Sequence, residues 1–393
     1  MTRYEELDSL RGVAALIVVI GHYLMIFSAY ESYSYELKSP FIVTMIKETP
    51  FRLIFSSGNE AVILFFVLSG FVLYLSITNT RFNYSSYLIK RICRIYLPYL
   101  IAILIAISTK MLFSHTDMPF VSNWFSKSWT IPETPTLFVQ HLLFIGQYNT
   151  DAYNNVIWSL VHEMRISIIF PFLIPLFIRT KFKYSFICLI VLSLSSTFGL
   201  YLLGSGVKLT SIFLSFHYTT IFLVGALLAK YRHVLIQVVV KMKKSLQIVL
   251  LAIALICFMY EGMIGEIDFL NNYVFRNYVV SFGVCILLIM SVSLRTFRSL
   301  LTIRVFTLLG KISYSLYLYH LISLFSFMYL FYDTLPIVLI LMLSVLCSFL
   351  LSSLAYRFVE KPCISLGRYL TKREKKVDLT AIPAVHTFEN RSL

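Results

Sequence analysis

Three ionisable residues, His22, Glu163 and His320, stand inside long apolar stretches of the chain. Charged or chargeable groups are costly in hydrocarbon and usually line a cavity or a site. An imidazole with a carboxylate nearby has the makings of a general base and its orienter, the pairing that activates a nucleophile. Arg11 precedes His22 by eleven residues. On a helix, eleven steps return to within ~20° of the starting direction with a rise of ~16 Å. Arg11 and His22 therefore share one face, one at the membrane edge and one near its middle. Glu163 falls ~10 Å into its own helix and His320 ~13 Å into another that enters from the opposite side. The three are expected at similar depths, as an internal polar chamber. Simpler uses exist for each. A membrane histidine can serve only to hydrogen-bond a neighbouring helix, and Glu163 can pair with Arg165 or His162.

A second cluster is Lys90-Arg91-Ile-Cys-Arg94-Ile-Tyr-Leu-Pro98. Arg91 and Arg94 are three residues apart and so expected on one helical face, aimed at the mouth where Arg11 sits. Guanidinium groups suit phosphate through bidentate hydrogen bonds, although cations here also satisfy plain membrane topology. Ser69 and Gly70 lie mid-helix in Phe-Phe-Val-Leu-Ser-Gly-Phe, where small residues usually mean close helix packing.

The elements that must position these residues are membrane helices. The chain has 393 residues, 58% hydrophobic and only 13% charged, with a mean hydropathy of +0.80. A soluble domain carries roughly twice that charge. Apolar blocks of about 18–25 residues match a ~30 Å hydrocarbon core. Ten can be drawn, near 11–29, 57–77, 94–113, 156–178, 184–204, 209–229, 245–261, 273–293, 313–332 and 335–357. The first is followed by no small-residue cleavage site and is expected to be retained. With the N-terminus cytoplasmic, 22 cations fall in inner loops and tail and 6 in outer loops. This asymmetry places both termini inside and accounts for the net charge of +15 without a nucleic-acid partner. The fold class is all-α: a polytopic membrane protein of about ten transmembrane helices.

The outer connection from about 114 to 155 is the longest, and its tryptophans and other aromatics suggest a functional loop at the interface. Residues 1–362 read as one transmembrane domain, and 363–393 as a basic, then polar, cytoplasmic tail. The six cysteines lie in or beside apolar segments with no CxxC spacing, so buried free thiols are expected, with no metal site.

These residues also carry a family pattern. LDSLRGVAALIVVIGHY with Arg11 and His22, FFVLSGF (65–71), RICRIYLP (91–98), WSL followed by Glu163, ISYSLYLYH (312–320) and RFVEKP (357–362) occur in that order. Together they resemble membrane-bound acyltransferase family 3, whose members O-acylate carbohydrates and other hydroxyl compounds at cell envelopes. The resemblance implies transfer of an acyl group, acetyl by default, from cytoplasmic acyl-CoA to a carbohydrate hydroxyl at the other face. The acceptor is expected to be a polysaccharide or O-antigen unit, possibly lipid-linked, at a bacterial inner membrane. It also implies His22 as the catalytic residue with Arg11 and Glu163, and Arg91, Arg94 and Arg11 at the donor. Ser69, Trp158, Tyr314 and His320 are expected near the substrate. The chain departs from the pattern after Glu163, where Met164 and Arg165 replace the usual acidic and aromatic residues. Too little chain follows the tenth helix for the extra hydrolase-like domain of many relatives, so a stand-alone form is expected. A non-carbohydrate acceptor, or a transporter or flippase of a lipid-linked glycan, are the alternatives. No paired Gly/Pro-interrupted segments of the transporter kind are visible.

Overall fold

The computed structural model describes residues 4–27, 58–78, 82–113, 118, 121–126, 129–203, 210–260 and 272–377. All elements there are helical: α1 Glu5–Leu24, α2 Gly58–Thr78, α3 Tyr84–Phe113, α4 Asn123–Ser126, α5 Pro135–Leu143, α6 Ile157–Arg179, α7 Phe182–Leu203, α8 Thr210–Lys241, α9 Lys244–Phe258, α10 Tyr273–Ser293, α11 Arg295–Leu301, α12 Arg304–Phe331, α13 Ile337–Ala355 and α14 Lys361–Val377. Nine helices among the described residues are long and apolar enough to cross a membrane. The segment expected at 245–261 is the exception, a 15-residue apolar helix, α9. At 1.5 Å per residue it spans only ~22 Å.

Several helices start earlier than their apolar runs. α1 begins at Glu5, and its first turn carries Glu5, Glu6 and Asp8, which suit the positive end of the helix dipole. Asp8 and Ser9 are therefore inside the helix, and the N-cap position is Tyr4, which makes no side-chain cap bond. α3 begins at Tyr84, where Asn83 accepts a hydrogen bond from the Ser86 amide at 2.8 Å. Its first two turns carry Lys90 and Arg91, which hid them from an apolar count.

Between membrane helices there is little hydrophobic driving force, because lipid is as apolar as leucine; close backbone approach supplies the packing energy instead. Two glycine seams provide it. A Cβ on Gly70 of α2 would meet the Phe222 backbone of α8, and one on Gly225 of α8 would meet the Val67 carbonyl of α2. A Cβ on Gly12 of α1 would meet the backbone at Gly310 of α12, and one on Gly310 would meet Asp8. Exactly ten residues beyond Gly12 and Gly310 on each helix stand His22 and His320. The two helices touch at both levels, so they run parallel and in register.

α3 and the α13–α14 helix share a second peculiarity. Residues Ile92–Tyr96 and Tyr356–Glu360 are single π-helical segments. Each ends two residues before a proline, Pro98 and Pro362. A proline inside a helix lacks the N–H and clashes with the carbonyl four residues back, and a π turn just before it relieves that conflict. α14 continues past residue 362 and packs on α3, with Gly367 against Cys93; residues 378–393 lie outside the described residues. The six cysteines are unpaired. Cys93 is buried, whereas Cys188 faces outward on α7, against the expectation that all six are buried.

The connection after α3 folds back over the bundle. Lys110 pairs with Glu133 at 2.7 Å, and the Trp129 indole donates to the Tyr153 carbonyl at 2.9 Å. His141 of α5 is buried beneath it, donates from Nδ1 to Leu137 O, and is pushed down to about 4 by burial.

Two outcomes follow. Gly70→Leu forces α2 and α8 apart and lowers the melting temperature in detergent sharply, since overpacking costs about 1–3 kcal/mol or more; Gly58→Ala, where nothing lies within 4 Å, leaves it unchanged. Because His141 is neutral when folded but titrates near 6.5 when unfolded, it favours the fold above pH 6.5 and opposes it as pH falls toward 4. His141→Phe should therefore flatten the loss of thermal stability between pH 6.5 and 4.

Candidate active site

The in-register pair α1 and α12 brings His22 and His320 together. His22 Nδ1 lies 3.0 Å from His320 Nε2, and His320 Nδ1 lies 2.9 Å from the Leu316 carbonyl. A carbonyl only accepts, so His320 carries its proton on Nδ1 and offers the Nε2 lone pair. His22 must then donate from Nδ1, which leaves its Nε2 unprotonated. The His22 ring is held between two planes, Trp124 at 5.6 Å and 9° and His320 at 5.2 Å and 22°. His320 is fully buried, while His22 is partly accessible. Among the described residues Nε2 of His22 has no hydrogen-bond partner. Chemically this is an oriented, partly accessible base supported by a second imidazole.

Trp124 comes from the connection after α3, which is fixed to the end of α1: the Ser122 amide donates to Ile26 O at 2.9 Å and its hydroxyl to Met25 O at 2.5 Å. The aromatic content of that loop marked it as functional, but not which ring reaches His22. Tyr317 forms the far wall, 6.3 Å from His320, with its hydroxyl on Val156 O at 3.1 Å and against Ser159 Oγ at 2.7 Å.

Glu163 belongs to a separate cluster. Its Oε1 accepts from Arg91 Nη2 at 3.1 Å and from Ser69 Oγ at 3.3 Å, and Arg91 also donates to Ser167 Oγ from Nη2 at 2.7 Å and Nε at 3.2 Å. Ser167 lies one turn beyond Glu163 on the same face of α6. Glu163 therefore pairs with neither Arg165 nor His162, and no contact joins it to His22. Ser69 contacts a carboxylate, while its neighbour Gly70 makes the close packing.

Arg91 is taken up by Glu163, whereas Arg94, one turn on through the π segment, stays within reach of both charges without bonding either. Arg94 is solvent-exposed yet surrounded by the charges of Arg11, Arg91, Glu360 and Glu163. Among the described residues neither Arg94 nor Arg11 has a hydrogen bond or close ion pair. Glu360, on the other π segment, is buried and accepts from Ser315 Oγ at 2.7 Å. Three guanidinium groups thus face two carboxylates, which leaves a net positive mouth suited to an anion. Glu360 lies within the RFVEKP run, yet nothing in its spacing distinguished it. Tyr314 donates to Ile95 O at 2.7 Å and so braces the first π segment. Trp158 makes its ring contacts with His162 and Tyr218 rather than with His22 or His320.

Neither a curated protein nor a solved structure matches the chain. The acyltransferase 3 family, described as an acyltransferase domain, matches residues 4–357, from the first turn of α1 into the second π segment. The match contains both histidines, the three arginines and Glu163. The chain belongs to the acyltransferase 3 family and is a multi-pass membrane acyltransferase.

Proposed function

We propose that the protein O-acylates a carbohydrate destined for the cell envelope or for export, with acyl-CoA as donor and His22 as general base. The observation that carries this reading is the Nε2 of His22, which no described residue meets, on a ring held in one tautomer by His320 and in one plane by Trp124. Acetyl is the simplest acyl group for the reading.

His22 Nε2 takes the proton of the acceptor hydroxyl as its oxygen attacks the thioester carbonyl. The C–S bond breaks, and the imidazolium returns the proton to the departing thiolate. Nδ1 of His22 donates to His320 throughout, so the ring stays aligned while its charge changes. Arg11 and Arg94 offer unpaired donors to the donor's phosphates, as guanidinium groups do. The ~16 Å from Arg11 to His22 along α1 is comparable to a pantetheine arm. Arg91 has a different role here: it holds Glu163 and the α3–α6 contact. The excess of cations in one set of loops favours the arginine-bearing face as cytoplasmic, and the inner membrane of a bacterium as the location. The acceptor hydroxyl then arrives from the other side.

His22→Gln in purified protein should lower kcat by about 10²–10⁴-fold with little change in KM for acyl-CoA; transfer at the wild-type rate would exclude His22 as the base. The arginines should separate in the same assay. Arg94→Ala raises the KM for acyl-CoA at unchanged melting temperature, whereas Arg91→Ala lowers the melting temperature because it strands Glu163 among apolar helices. If both variants behaved alike, the distinct roles given to them here would fail.

A further inference from the structure

Helix α14 carries charges and apolar side chains that no part of the acyl-transfer reading uses. The chain from Ile337 to Lys372 is continuously helical over 36 residues. At 1.5 Å per residue this is ~54 Å, whereas a ~30 Å hydrocarbon core takes up ~20 residues. The excess is the second π segment and α14, at the end of the bundle where Glu360 faces Arg94 and Arg11.

α14 has three faces. Cys363, Gly367 and Thr371, spaced four apart, form the inward one. Thr371 is buried, and a Cβ on Gly367 would meet Cys93 Cβ at 3.0 Å and the Lys90 backbone at 3.4 Å. Lys361, Arg368 and Lys372 lie within ~40° of one another on a second face, and all three are exposed. Leu366, Tyr369 and Leu370 lie on the third and are exposed too, as is Phe358 on the π segment before it. A cationic stripe thus runs beside an apolar one on a surface that no other described element covers. Water alone suits only the first and hydrocarbon only the second, whereas the border of a bilayer suits both.

The cationic stripe is also unanswered within the protein. Among the described residues Lys361, Arg368 and Lys372 have no hydrogen bond and no ion pair. The neighbouring carboxylate, Glu360, points away: it is buried and accepts from Ser315 Oγ at 2.7 Å. Other cations are answered internally. Lys230 Nζ donates to Phe177 O at 2.6 Å and Thr180 O at 2.7 Å, and Arg298 pairs with Glu6 at 3.4 Å. Membrane topology asks for cations on one side, but not for their alignment on one face beside an apolar stripe.

We propose that this face of α14 is a binding surface for anionic phospholipids, with Lys361, Arg368 and Lys372 on their phosphates and Leu366, Tyr369 and Leu370 against their upper acyl chains. Basic segments next to a membrane helix draw anionic lipid in this way, and long Lys and Arg stems let the charges reach the headgroups. The inference needs only the geometry of α14 and stands whether or not the protein transfers an acyl group.

The test places a reporter between the two stripes. The full chain carrying Tyr369→Trp is reconstituted in phosphatidylcholine vesicles with a minor fraction of brominated phosphatidylglycerol or, in a parallel set, brominated phosphatidylcholine. Quenching of the introduced indole, after subtraction of the parent protein's tryptophans, gives the relative affinity of the two lipids. Phosphatidylglycerol should be favoured about fivefold or more, and the preference should fade in high salt. Lys361→Gln with Arg368→Gln and Lys372→Gln, all exposed and with no partner to lose, should abolish it. Lys241→Gln with Lys243→Gln and Lys244→Gln removes as much charge from the α8–α9 connection and should leave it unchanged. Equal quenching by the two lipids, a preference that the stripe variant keeps, or one that the control variant loses equally overturns the proposal.

Discussion

Hydrocarbon offers no hydrogen-bond partner, so a polar group inside this bundle is costly unless another protein group answers it. The interior is organised around that requirement as short chains of polar contacts: Leu316 O to His320 to His22, Ser167 to Arg91 to Glu163 to Ser69, and Arg165 through Ser215 to His162. Each chain fixes protons and tautomers along its length. At the end of two of the three chains an imidazole Nε2 is left without a partner among the described residues.

The two π segments solve a related problem. Pro98 and Pro362 would each clash with a carbonyl four residues back in a regular helix, and the widened turn before each removes the conflict. The same turns re-aim the charged residues they contain. Arg91 reaches Glu163, and Glu360 is held in the interior near Arg94 and Arg11. A structural remedy for proline thus sets the charge pattern at the mouth.

Much of this was legible in the sequence. Apolar block lengths fix the helices, and the eleven-residue step puts Arg11 and His22 on one face. The depth argument brings His22 and His320 level. It failed for Glu163 because depth does not say which neighbour a side chain meets; Arg91, a strong partner on α3, takes it. The three-residue spacing put Arg91 and Arg94 near each other but could not say that Glu163 would take Arg91. Trp124 was hidden because a loop has no period to read.

The glycine contact at Gly12 and Gly310 and the imidazole contact at His22 and His320 are rungs of one ladder, each ten residues from the other along parallel rails. A single inserted or deleted residue on one rail would turn its histidine by ~100° and slide it by ~1.5 Å, far outside hydrogen-bond tolerance. The lengths of the segments 12–22 and 310–320 are therefore bound to each other although nearly three hundred residues separate them. Change in length can be absorbed in the loops of this protein, but on these two stretches it must arrive in both at once or in neither.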